Sequence, residues 1–115
     1  MKKTISIAFA LIFCLLAGCL ALNETALMQA AKYGHTADVK QLLKAGADLE
    51  ARDTLGNTAL MKAALWGRID TVQFLLNAGA NVSARNEYGE TALAQAAYAG
   101  QADIVKLLRE AGAAE

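Results

Sequence analysis

The triplet Thr-Ala-Leu occurs at residues 25–27, 58–60 and 91–93, a spacing of 33 residues. A recurrence of this kind constrains the fold more than any other feature. Each copy must form the same small unit, and no copy can bury its apolar face except against its neighbours. Many other positions keep the phase. They include Gly34, Gly67 and Gly100; Val39, Val72 and Val105; Leu42, Leu75 and Leu108; Gly46, Gly79 and Gly112; and the alanine pairs 30–31, 63–64 and 96–97. Agreement at this many sites argues against a chance likeness among Ala-rich helices.

Each unit reads as helix, turn, helix, loop. Thr25, Thr58 and Thr91 are suited to cap a helix, their hydroxyls accepting backbone N–H groups that have no partner in the first turn. A short helix then runs through the Ala pair to about Tyr33, Trp66 and Tyr98. Glycines 34, 67 and 100 fit a positive-φ reversal. The second helix carries Val and Leu three residues apart, on one face, and ends at Gly46, Gly79 and Gly112. Segments 47–57 and 80–90 are polar connectors with a glycine at 56 and 89, as a tight turn requires. Pro is absent from the chain, which removes the strongest helix breaker.

The stretch GADLEARDTLGNTALMKAALWGRIDTVQFLLNAGANVSARNEYGETAL resembles the ankyrin repeat, and the likeness extends over residues 23–115. It implies an all-α solenoid of three helix-turn-helix units joined by β-turn fingers, at residues 25–56, 57–89 and 90–115. One departure stands out. The family's Thr-Pro-Leu-His is here Thr-Ala-Leu followed by Met28, Met61 or Ala94. The pre-set φ of Pro and the tie made by His are both missing, and a lower stability is expected from that. The end units read as caps, since terminal repeats need polar outer faces. Gln41 stands in phase with Phe74 and Leu107, and Arg109 with Leu43 and Leu76.

Ahead of the repeats, Met1-Lys2-Lys3 is a short positive start, and residues 5–17 are almost wholly apolar, the pattern of an export signal. Leu16-Ala17-Gly18-Cys19 resembles the lipobox of bacterial lipoproteins. That likeness implies a signal peptide at 1–18, lipidation of Cys19 and a short tether at 19–24. It also implies a place at the bacterial cell envelope, lipid-anchored and facing the periplasm, in the outer membrane if the cell is Gram-negative. Two alternatives stand beside it. Cys19-Leu20-Ala21 resembles an ordinary cleavage site, which would release a soluble periplasmic protein. The apolar stretch from Ile5 to Leu22 is also at the lower edge of what spans a bilayer.

The 115 residues carry 11 basic and 11 acidic side chains, and loss of Lys2 and Lys3 with the signal leaves a net charge of −2. No basic stripe is present, so no nucleic-acid partner is expected. Both cysteines, Cys14 and Cys19, lie in the N-terminal run. The repeats therefore offer no disulfide and no zinc cluster. No metal, cofactor or catalytic residue is expected, as neither a phosphate loop nor a nucleophile motif appears. His35, the single histidine, falls where the ankyrin pattern often has Gly-His, which implies a structural part for it. The reading is a non-enzymatic module.

Ankyrin arrays bind on a concave side made of finger tips and the exposed ends of first helices. Carried over to this chain, the candidates are Thr54, Leu55 and Asn57 on the first finger and Glu87, Tyr88 and Glu90 on the second. The helix ends add Lys32, Tyr33, Leu65, Trp66, Tyr98 and Ala99. This set holds Trp66 and all three tyrosines, and aromatics with a polar handle are common interface anchors. The expected function is an adaptor or scaffold for a protein partner, acting as a monomer. A small-ligand site around Trp66, support of a periplasmic enzyme or stress defence, and a structural envelope component are the other readings.

Overall fold

A computed structural model describes residues 24–112. Among these residues the regular elements are all helices: α1 (Ala26–Lys32), α2 (Thr36–Lys44), α3 (Ala59–Leu65), α4 (Ile69–Asn77), α5 (Ala92–Tyr98) and α6 (Ala102–Glu110). They form three helix-turn-helix pairs in the phase of the sequence recurrence. The seven-residue first helices α1, α3 and α5 make one row. The nine-residue second helices α2, α4 and α6 make the other. The expected solenoid is the observed architecture.

The local signals act as the sequence implies. Thr25, Thr58 and Thr91 cap α1, α3 and α5, accepting the backbone N–H of Met28 at 3.2 Å, Met61 at 3.3 Å and Ala94 at 3.2 Å. Each such cap contributes about 1 kcal/mol. The turn between paired helices needs a left-handed residue, and Gly34, Gly67 and Gly100 supply it with φ of 74°, 74° and 73°.

Burial follows the repeat. Ala31, Ala63, Ala64 and Ala96 are fully buried, so small side chains let first helices lie close together. Val39, Val72, Leu75 and Leu108 seal the space between the two rows. Met28 and Met61, which replace the family's histidine, are buried at 0% and 2% exposure. The expected loss of stability from the missing histidine therefore meets a compensation. An unbranched thioether fills the space between first helices that a polar tie would otherwise occupy. At the third copy Ala94 is exposed, with no further helix packed on it among the described residues.

Successive units are also joined by polar contacts. Arg68, on the turn after Gly67, donates through Nε to the carbonyl of Lys32 at 3.0 Å, and its side chain passes over Gly34. Gln101 covers Gly67 in the same way. His35 holds the equivalent position in the first unit, and among the described residues no earlier turn lies beneath it. Its side chain is exposed, makes no cap bond, and has Nδ1 3.9 Å from Asp38. In the second-helix row the Thr36 and Thr71 hydroxyls meet at 2.8 Å. At the ends Gln41 is half-buried and Arg109 exposed.

Gly67 and Gly100 share their φ but not their surroundings. A Cβ at Gly67 would come within 2.8 Å of the Gln101 side chain, whereas one at Gly100 meets nothing within 4 Å. Gly100→Ala should cost about 1–2 kcal/mol from the left-handed backbone alone. Gly67→Ala should cost that and several tenths of a kcal/mol more, for a displaced but flexible Gln101. Urea denaturation of the two variants side by side measures the difference.

Candidate functional site

The ends of the first helices bring Lys32, Tyr33 and Trp66 together across two units. Tyr33 and Trp66 follow α1 and α3 as their C-terminal caps, so both rings leave the helix where the chain turns. The Lys32 ammonium lies 5.0 Å from the Trp66 ring centre and 5.4 Å from that of Tyr33. A cation over two electron-rich ring faces is attracted by about 0.5–1 kcal/mol per ring at an exposed site. Tyr33 and Trp66 nevertheless keep 54% and 48% of their surface open. That is far more than a side chain packed between repeats would show. Leu65 is half-buried beside them.

The finger tips meet through the backbone. The Glu87 N–H donates to the Leu55 carbonyl at 2.9 Å, so Thr54 and Leu55 of one finger lie next to Glu87 and Tyr88 of the other. Thr54 and Glu87 are exposed and Leu55 is half-buried. Tyr88 and Tyr98 are the most open of the large hydrophobic side chains among the described residues, at 71% and 88%. Among the described residues neither joins the cation–π group of Lys32. The candidate residues thus form two contacting groups, one at the helix ends and one at the finger tips, with Tyr98 on α5 standing free of both.

Beneath the tips lies a polar network that holds the fingers to the helices. Asp53 accepts from the backbone N–H of Leu55 and Asn57, both at 2.9 Å, and its other oxygen lies 3.0 Å from the Lys62 ammonium. Lys62 also faces the Glu24 carboxylate at 3.8 Å. Burial alone would push the Asp53 carboxyl up. The Asn57 N–H, the bond and charge of Lys62 and the Asn57 amide outweigh it, and the carboxyl titrates below the usual aspartate range. One unit later the same positions are Asn86 and Gln95. Asn86 accepts from the N–H of Tyr88 at 2.9 Å and Glu90 at 3.0 Å, and donates to Asn57 at 3.0 Å and Glu90 at 3.1 Å. Gln95 donates to the same Glu90 oxygen at 3.1 Å. Arg52 and Arg85 close the finger turns by donating to the carbonyls of Gly56 and Gly89, each at 3.1 Å.

None of Asp53, Lys62, Asn86 or Gln95 was singled out from sequence. The available signal was Ala-Arg-Asp at 51–53 and Ala-Arg-Asn at 84–86, which keep the 33-residue phase. The candidate lipidation site Cys19 lies outside the described residues. Among the described residues no cluster of three or more His, Cys, Asp or Glu side chains is placed to hold a metal, and no helix is long and apolar enough to cross a membrane.

Comparison with protein-family models matches ankyrin repeats, three copies, over residues 4–86 and 27–114. The chain belongs to the ankyrin-repeat family. The first matched stretch reaches back over the apolar run. No curated protein matches the chain in a sequence comparison. Ankyrin repeats are in general protein–protein interaction modules, and the fold is typically a non-enzymatic one.

The Asp53 carboxylate sets an acid limit on this ankyrin array. Its folded pKa is lowered, so its stabilisation is complete above the unfolded value of about 3.9 and is lost as pH falls through the lower folded value. Asp53→Asn should flatten the stability profile below about pH 4 and cost about 1–3 kcal/mol at pH 7, because Lys62 loses the nearer of its two carboxylates. Adding Lys62→Gln, as at Asn86 and Gln95, should recover part of the loss. Thermal melts between pH 2 and pH 7 are the check, read with about 0.5 kcal/mol precision.

Proposed function

We propose that this ankyrin protein is a non-enzymatic adaptor that holds a protein partner against the side bearing Lys32, Tyr33, Trp66, Tyr88 and Tyr98. The observation that carries this is the exposure of those rings. Four large aromatics remain about half or more open, although the array fully buries Ala31, Ala63, Ala64, Ala96, Val39, Val72, Leu75 and Leu108. Aromatic side chains contribute most of the binding energy at many interfaces, because they bury much area with few rotatable bonds. Thr54, Leu55, Leu65 and Glu87 would form the surrounding contact.

Sequence alone supports the setting. The charged start, the apolar run and the Leu16–Cys19 lipobox likeness favour export and lipid attachment at Cys19, with the array held at the bacterial envelope and facing the periplasm. Several acyl chains at about 0.8 kcal/mol per buried CH₂ would anchor it firmly. The repeat bounds at 25–56, 57–89 and 90–115 belong to the same reading. A soluble periplasmic form supporting an enzyme or stress defence follows if cleavage falls after Ala21. The small-ligand reading gains nothing from the grooves lined by described residues, which lie open to solvent.

Affinity purification of the tethered protein, with Trp66→Ala as control, tests the adaptor role. Trp66→Ala should lose the partner while circular dichroism and the melting point stay close to wild type. Retained capture with a damaged fold would assign the ring to packing. Mass spectrometry of the mature chain should find a lipid-modified N-terminus at Cys19; an N-terminus at Leu22 would remove the anchor.

A further inference from the structure

Two cations meet at the Tyr33–Trp66 edge without an anion to balance them. The Lys32 ammonium lies over both rings, 5.4 Å and 5.0 Å from their centres. Arg68 reaches the same edge from the next turn, with Nε on the Lys32 carbonyl at 3.0 Å and its side chain over Gly34. The carboxylates that form ion pairs face other groups. Asp38 faces His35, and Glu24 and Asp53 face Lys62. Among the described residues no carboxylate comes within ion-pairing distance of Lys32 or Arg68. The repeat itself does not demand these charges. Leu65 and Tyr98 stand in phase with Lys32, and Gln101 stands in phase with Arg68.

We infer that the protein partner meets this edge with an acidic side chain, Asp or Glu, set beside an apolar one. The inference rests on the adaptor reading and gives the chemistry of its partner. Desolvation carries the argument. Tyr33 and Trp66 are both about half open, and the Lys32 ammonium is in reach of both ring faces. A surface that covers the two rings therefore covers the ammonium as well. The rings attract that charge without neutralising it, and a cation buried with no anion is strongly unfavourable. A partner carboxylate removes the penalty and forms charge-assisted hydrogen bonds, which are stronger than neutral ones. A partner carrying Lys or Arg at that place is repelled, so the pair of cations also selects against basic surfaces. The apolar neighbour of the acidic group would pack on the open parts of the rings, where most of the area is buried.

The test uses the full chain in mild detergent and a phage library of random short peptides. The peptides are joined to the coat protein at their C-termini, so only side-chain carboxylates are offered. Bound peptides should need Trp66 and should carry Asp or Glu beside an apolar residue in excess of the input library. Lys32→Gln and Arg68→Gln should each weaken the best peptide by about two- to fivefold, and together by roughly tenfold. Lys32→Arg, which keeps the charge, should hold it close to wild type. Arg68→Gln places at the turn the residue type that already covers Gly67 from position 101, so the fold is kept. Binding by the unaltered protein should also weaken several-fold between about 50 mM and about 500 mM salt, a readout that needs no variant. Peptides that need Trp66 but carry no excess of carboxylates, or that bind regardless of salt and of both charge variants, overturn the inference and leave the adaptor reading standing. Peptides indifferent to Trp66 as well, or a library with no binder, count against both.

Discussion

Stacking of the first helices on one another is the interaction on which the rest depends. Helices of seven and nine residues are too short to persist alone in water, where about 12–15 residues are already marginal. Their caps help by about 1 kcal/mol each, but helix formation is completed only when Leu27, Met28 and Ala31 meet the equivalent faces of α3, and α3 meets α5. The alanines matter because they keep those helices close enough for methionine and leucine to fill what remains. Geometry elsewhere follows. The glycine turns put Tyr33 and Trp66 at one edge, and the connectors place the fingers at a fixed height above the helices.

One structural position, the base of each finger, is solved twice in different chemistry. In the first finger a buried carboxylate takes two backbone N–H groups and a lysine. In the second an asparagine takes two N–H groups and shares Glu90 with Gln95. Both solutions satisfy the same orphan donors at the finger turn, which is the requirement the backbone imposes. The charged version is stronger hydrogen bonding obtained at the cost of desolvating an ion pair. Asn57 and Asn86 join the two, so the fingers respond as a pair rather than as separate loops.

The recurrence made the architecture legible because its signals are local. A threonine before a helix, a glycine at a left-handed turn and a three-residue apolar step each report on their own neighbourhood, and each was found where expected. What escaped notice depends on contacts between units. Met28 and Met61 looked like departures that weaken the repeat, yet burial against the next helix makes them core. Asp53 and Lys62 are nine positions apart and read as ordinary surface charges until the finger folds under the helix. Arg68 reaches a carbonyl in the preceding unit, and nothing in its own segment signals that. His35 shows the reverse. It occupies the same phase but covers no earlier turn among the described residues, and its exposed side chain makes no cap bond.

Among the candidate binding residues, type and phase could be read but exposure could not. Tyr33 and Trp66 share a phase and share an environment, each with about half its surface against Lys32 and the helix ends. Tyr98 sits one position earlier in the repeat, in phase with Lys32 and Leu65, and on the third unit it faces no following helix among the described residues. Its openness therefore has a different origin from theirs. The Tyr33–Trp66 pair is held by a cation and presented at a junction between two units, so its geometry is fixed before any partner arrives, which lowers the entropic cost of binding. Tyr98 has no such restraint among the described contacts. A partner that uses both would find one preorganised anchor and one that must still be ordered, and the Lys32 group is the better place for it to begin.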